Sequence, residues 1–181
     1  MSESATINAL AKRLQKGDEK AGAAIFDRFA TPFYRYFLSR TNQKEIAQDL
    51  VQEAFAKMLQ NIAQFNAEIG NFSSWFWQIA RNLLIDSFRQ KKPVQSLEVM
   101  QETGFDVVDP NEQVQTNAEM QRVLAIADEL PEEERELFHS YFIADVSYAD
   151  LAVMTGKSEA NLRVMIHRLK KKIAKIYDSG F

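Results

Sequence analysis

From Leu50 onward the apolar residues Leu50, Val51, Ala54, Phe55, Met58, Leu59 and Ile62 recur at the i, i+4, i+8 spacing that lines one face of a helix. The opposite face of this run carries Asp49, Gln52, Glu53 and Lys57, two carboxylates one turn apart with an amide beside them. A second periodic run, Phe76, Ile79, Ala80, Leu83, Leu84 and Phe88, predicts another buried stripe, and that helix ends in the basic tail Arg89-Gln90-Lys91-Lys92 before Pro93 stops it. The intervening Gln64–Asn71 stretch is punctuated by Asn and Gly and reads as an ordered loop, with Ser73 or Ser74 expected to cap the following helix.

Upstream, Ile7, Leu10, Ala11 and Leu14 predict a short amphipathic helix broken at Gly17-Asp18. A further pattern from Lys20 to Leu38 contains Thr31-Pro32, so a bend or break is expected near Ala30. Residues 93–115 lose the periodicity and scatter Pro93, Gly104 and Pro110 among Glu98, Glu102, Asp106, Asp109 and Glu112, the pattern of a flexible acidic linker. Helical spacing returns at Met120, Val123, Leu124 and Ala127, and Pro131 opens a helix expected over Glu132–Ile143, with Glu132, Glu133 and Glu134 near the positive end of its dipole. Ser147 and Asp150 form an S-x-x-D start signal, Thr155-Gly156-Lys157 a turn, and Ser158 the cap of a last helix to about Tyr177. Helix, short Gly-containing turn and helix make a helix-turn-helix, whose second helix enters the major groove. The fold class expected is all-α: two small helical domains, 1–92 and 116–181, joined by the linker 93–115.

Composition narrows the function classes. A hydrophobic fraction of 46% suits a globular protein, and with no Cys there is neither a disulfide nor a thiolate zinc site. The polar start MSESATINAL and the lack of a long apolar run predict no leader, no membrane insertion and a cytoplasmic address. The net charge of −3 conceals segregation: residues 1–92 hold 13 Lys+Arg against 9 Asp+Glu, residues 93–137 hold 2 against 12, and residues 138–181 hold 7 against 4. Basic ends suit phosphate binding, which depends on local charge. If the five linker carboxylates named above screen those ends in the free chain, neutralising them raises DNA affinity; unchanged affinity rejects the idea. His139 and His167 lie on different predicted helices with no paired-carboxylate constellation and no Gly-rich phosphate loop, so no catalytic residue, metal, cofactor or small-molecule substrate is expected.

The aromatics Phe65, Phe72, Trp75 and Trp77 crowd the loop and the head of the second helix beside Arg81 and Asn82, a composition suited to stacking on unpaired bases. On the last helix, Leu162, Ile166, Leu169 and Ile173 make a core stripe and leave Asn161, Arg163, Arg168, Lys170, Lys171 and Lys172 for DNA.

The run DLVQEAF followed by FSSWFWQIARNLLIDSFRQKK resembles region 2 of the extracytoplasmic-function group of bacterial RNA polymerase sigma factors, with Tyr34-Arg35-Tyr36 similar to the stretch that opens it. LPEEERELF and SYADLAVMTGKSEANLRVMIHRLKKK resemble region 4, so the likeness covers roughly residues 18–177. It implies docking on core RNA polymerase through Asp49, Gln52, Glu53 and Lys57. It further implies reading of the promoter minus-ten element by Phe65, Asn71, Trp75, Arg81, Asn82, Arg89, Lys91 and Lys92, and of the minus-thirty-five duplex by Ser158, Asn161, Arg163, Arg168, Lys170 and Lys171. An anti-sigma factor is implied as a further partner. The chain departs from the family in its recognition helix, where a Thr-Val-Lys-Ser-Arg-like run is replaced by Asn161-Leu162-Arg163-Val164-Met165. Val164 and Met165 cannot supply the hydrogen bonds of Ser and Arg. The rival readings are a stand-alone helix-turn-helix regulator with an α-helical effector or dimerisation domain, and a module that binds a partner helix and no DNA.

Overall fold

The structure is a computed structural model and describes residues 3–90 and 118–179. The expected linker 93–115, with Lys91 and Lys92, lies outside the described residues. The chain divides into two compact units, within Met1–Val108 and Asp109–Phe181. Among the described residues all regular elements are helical, as the periodicity predicts.

The first unit holds α1 (Glu3–Leu14), α2 (Glu19–Thr41), α3 (Lys44–Asn61) and α4 (Phe72–Gln90). Gly17 turns the chain at φ +83°, and Asp18 caps α2 by accepting from the backbone N–H groups of Lys20 and Ala21 at 3.0 and 3.3 Å. Asn42 in the left-handed region closes α2, its N–H bonded to the Leu38 carbonyl. Along α2, Ile25, Phe29, Phe33 and Phe37 are buried one turn apart. Phe33 lies edge-on to Phe76 and Trp77, each at 4.6 Å, while Phe76 also meets Phe29 and Phe55 at 5.1 Å. Offset and edge-on rings of this kind add about 0.5–1.5 kcal/mol per pair beyond their burial.

Two expectations fail here and one is narrowed. Of the bend or break expected near Ala30, the break does not occur: α2 runs unbroken from Glu19 to Thr41. Phe29, Phe33 and Phe37 straddle the proline on one buried stripe, and burying each ring is worth about 1.5–3 kcal/mol, which together offsets the ~3 kcal/mol cost of an interior proline. Leu59 and Phe88, assigned to buried stripes, are exposed at 39% and 47% because they sit at the stripes' edges; the Arg40 guanidinium covers the Phe88 ring from 5.7 Å. Neither Ser73 nor Ser74 caps α4: Asn71 does, its Oδ1 accepting from Ser73 N–H at 2.9 Å and its carbonyl from Trp75 N–H at 3.0 Å.

The second unit holds α5 (Ala118–Asp128), α6 (Glu132–Leu137), α7 (Tyr148–Thr155) and α8 (Glu159–Asp178). The helix expected over Glu132–Ile143 is regular only to Leu137 and then widens into a π-helical segment, Phe138–Ile143, in which Ala144 N–H reaches back five residues to the His139 carbonyl. Four successive residues, Leu137, Phe138, His139 and Ser140, are buried, more than one face of a regular helix supplies. His139 is therefore a core residue. Ser147 caps α7 as expected by accepting from Asp150 N–H at 3.1 Å, and its hydroxyl donates to the Asp150 carboxylate at 2.8 Å. Gly156 ends α7 at φ +69°, and Ser158 caps α8, accepting from Asn161 N–H at 3.3 Å.

Candidate nucleic-acid interfaces

On α4 the 3.6-residue repeat places Asn71, Trp75, Gln78, Asn82 and Arg89 along one outer stripe. Trp75 is half-buried and Asn82 exposed, its Oδ1 accepting from Gln78 Nε2 at 3.0 Å. Arg89 is open to solvent, with Asp86 4.0 Å away. Arg81, one residue before Asn82, lies about 100° round the helix and is half-buried, so it does not share the stripe.

The loop presents fewer rings than its composition promised. Phe65 is buried, with Phe72 edge-on and Trp75 tilted, both at 5.4 Å. Phe72 and Trp77 are buried as well, which leaves Trp75 as the ring of the four with an open part. The backbone is drawn tight: Asn66 Oδ1 accepts from Glu68 N–H at 2.9 Å, and its carbonyl accepts from Ile69 and Gly70 N–H at 3.1 Å each. At the tip, Ile69 is 85% exposed.

Three residues the sequence reading passed over hold this loop. Asn8 and Lys12 on α1, and Gln15 in the turn just after it, all bond it. Their i, i+4, i+7 spacing was visible as a polar face, but nothing local said what it faced. Lys12 pairs with Glu68, and that bond holds the Glu68 carboxyl below the usual carboxylate range.

On α3 the carboxylates of Glu45, Asp49 and Glu53 follow one another by single turns. Burial, then the charges of Glu45 and Glu53, push the Asp49 carboxyl above its ordinary pKa. Lys57 pairs with Glu53 at 3.3 Å, and Gln52 is half-buried beside them.

On α8, Leu162, Ile166, Leu169 and Ile173 are buried as expected, and Asn161, Arg168, Lys170 and Lys171 are exposed. Arg163 is held between the Tyr148 ring, 4.4 Å from its guanidinium carbon, and Glu159 at 3.3 Å. The Ser158 hydroxyl serves the cap. Lys172, grouped with the DNA-facing cations, pairs with Glu134, and Lys157 pairs with Glu133 at 2.7 Å. The acidic first turn of α6 thus clamps the helix-turn-helix as well as starting its own helix. Among the described residues no group of three or more acidic or histidine side chains could hold a metal ion, and no helix is long and apolar enough to cross a membrane.

One unit carries a part-open tryptophan beside polar side chains, and the other carries a helix-turn-helix. Residues 25–94 match the model of Sigma-70 region 2, and residues 120–173 match that of Sigma-70, region 4. The chain is 29% identical over 160 residues to the ECF RNA polymerase sigma factor SigM of Bacillus subtilis, covering 86% of this chain and 94% of that one. It is 27% identical over 179 residues to the ECF RNA polymerase sigma factor BldN of Streptomyces coelicolor, covering 97% and 67%. Two solved structures share the fold: CnrH in complex with the cytosolic domain of CnrY, with TM-score 0.71 and 18% identity over 96% of this chain and 98% of that one, and the sigma factor RpoE in complex with the anti-sigma factor NepR from Bartonella quintana, with 0.62 and 16% over 90% and 99%. The protein belongs to the extracytoplasmic-function group of RNA polymerase sigma factors, which are transcription-initiation factors and not enzymes.

Proposed function

We propose that this chain binds core RNA polymerase, opens and reads a minus-ten element with one unit, and grips a minus-thirty-five element as duplex with the other. The observation that carries this reading is the outer stripe of α4, where a part-open Trp75 is followed by Asn82 and Arg89 at two-turn spacing. A ring face, an amide and a cation in that order stack a base, hydrogen-bond its edge and neutralise the next phosphate. Asn71 and Phe65 shape the site indirectly, one as the cap of α4 and the other as packing beneath Trp75. Arg81 contributes from the neighbouring face, and Lys91 and Lys92, outside the described residues, add charge after α4.

The α3 ridge suits a basic helical surface on the polymerase, because a cation there favours the charged form of Asp49, which burial and then the charges of Glu45 and Glu53 disfavour. Gln52 adds an amide, and Lys57 orients Glu53. In the second unit, Asn161, Arg163, Arg168, Lys170 and Lys171 face the duplex, with Ser158 ordering the start of the recognition helix. Residues 93–115 join the two domains, 1–92 and 116–181. Work on polymerase places the chain in the cytoplasm, and the complexes named for CnrH and RpoE support an anti-sigma partner here too. A stand-alone regulator explains the α3 ridge and the α4 stripe less well, since it needs neither polymerase nor an unpaired strand. Co-purification with core polymerase tests the reading: the full chain is retained, and Asp49→Lys with Glu53→Lys lowers retention at least tenfold; equal retention of the charge-reversed chain rejects the ridge as the docking site.

A further inference from the structure

Helix α1 precedes the stretch matched to region 2, which begins at residue 25, and none of the interface residues above comes from it. Ile7 and Ala11 bury one side of α1 in the core. Arg13 pairs with Asp18, the cap of α2, while another polar face, which continues into Gln15 just past Leu14, is turned toward one target. Asn8, Lys12 and Gln15 share a face, and each bonds the segment Ile62–Phe72. Asn8 Nδ2 donates to the Gly70 carbonyl at 3.2 Å while its Oδ1 accepts from Phe72 N–H at 2.8 Å. Gln15 Nε2 donates to the carbonyls of Ile62 and Phe65, both at 2.7 Å. Lys12 pairs with Glu68 in between.

These contacts hold the loop at both ends and at its middle. Gln15 fixes the short 3-10 turn Ile62–Gln64 where α3 gives out, and Asn8 fixes the first residue of α4. The loop's acidic residue, Glu68, is neutralised by Lys12, removing a charge that would repel a phosphate backbone. What remains free is the tip, Ile69, and the open part of Trp75. A loop already fixed before binding loses less conformational freedom when a base arrives, and it presents its polar groups at set distances.

We propose that α1 is a clasp for the strand-reading loop, with Asn8 and Gln15 as positioning residues for recognition of the minus-ten element and Lys12 as the neutraliser of Glu68. The clasp rests on the proposed sigma-factor reading and deepens it. It separates two properties that a merely structural helix would change together: affinity for polymerase, set by α3, and affinity for the unpaired strand, set by the loop.

The test uses full-length chain carrying Asn8→Leu or Gln15→Met, substitutions of similar size that remove the hydrogen bonds and add no charge at half-buried and exposed positions. Holoenzyme made with wild-type chain first selects a promoter from a randomised library; the probes are that promoter as intact duplex, the same promoter with its minus-ten stretch pre-melted, and the single non-template strand. Both variants are expected to bind core polymerase as the wild type does, to lose roughly tenfold in affinity for the single strand and for the pre-melted promoter, and to show faster hydrogen exchange at the Gly70 and Phe72 amides. Wild-type strand affinity in a variant whose loop exchanges faster overturns the clasp. So does a loss of core binding in proportion to the loss of strand binding, which marks α1 as structural only. If the wild-type holoenzyme selects no promoter at all, the sigma-factor reading falls and takes the clasp with it, an outcome distinct from the other two.

Discussion

Asp49, proposed to dock polymerase, burdens the fold that presents it. Burial and the flanking charges of Glu45 and Glu53 raise its pKa in the folded chain. A raised carboxyl pKa means that its stabilising contribution is complete below the unfolded pKa and is lost as pH rises through the folded one, so at neutral pH the charged Asp49 burdens the fold. Asp49→Asn should therefore raise the thermal midpoint of the free chain at pH 7, by an amount that vanishes in the carboxylate range, while weakening core-polymerase binding about tenfold. Thermal unfolding at the two pH values and a binding titration check both halves. At Gly156, which needs φ +69° to turn α7 into α8, substitution by Ala should cost about 1–2 kcal/mol, read as a lower unfolding midpoint and weaker minus-thirty-five binding.

At this scale the sequence was legible where chemistry is local and silent where it is not. Ser147 and Ser158 cap their helices because a hydroxyl before a helix has few other partners. Asn71 outcompeted Ser73 and Ser74 because the helix begins at Phe72, two residues before the start that a Ser73 cap implies. Which ring of Phe65, Phe72, Trp75 and Trp77 stays open depends on neighbours from other helices, and composition alone cannot rank them.

Among the elements, α3 and α4 were readable from period, and α7 and α8 from period and caps, since one buried stripe facing one core fixes each. At Pro32 the break that a local rule allows does not occur, because three buried rings outweigh it. The helix after Pro131 was misread for the opposite reason: no local signal marks the π-helical segment, which follows from burying four successive residues. The same limit hid the α1 face, whose targets lie 47 to 64 residues away in the chain. Phe76 is where the elements of the first unit meet, touching rings of α2 and α3. Phe76→Ala should cost about 3–5 kcal/mol and melt that unit, abolishing core-polymerase retention, while binding of the minus-thirty-five duplex by the second unit persists. Loss of both in the same titration would mean that the units do not fold independently.

For the whole molecule, the segregation of charge matters more than its sum of −3. Both basic ends carry candidate DNA contacts, and of the 12 acidic residues between them five lie outside the described residues. Replacing Lys170 and Lys171, exposed on α8, by Ala should weaken duplex binding for every sequence alike and lower the salt slope by about 1 per lysine, whereas replacing Asn161 should relax specificity at one base. Salt titrations on matched and mismatched duplexes separate the two effects.

The division of labour, with the chain choosing the start site and polymerase making the RNA, is tested most directly by runoff transcription from the promoter selected by the holoenzyme. Core polymerase alone, and the chain alone, should give no specific transcript, and the two together should give one of defined length. A chain that binds that duplex as a dimer without polymerase, and leaves the output of core polymerase unchanged or reduced, would contradict the account.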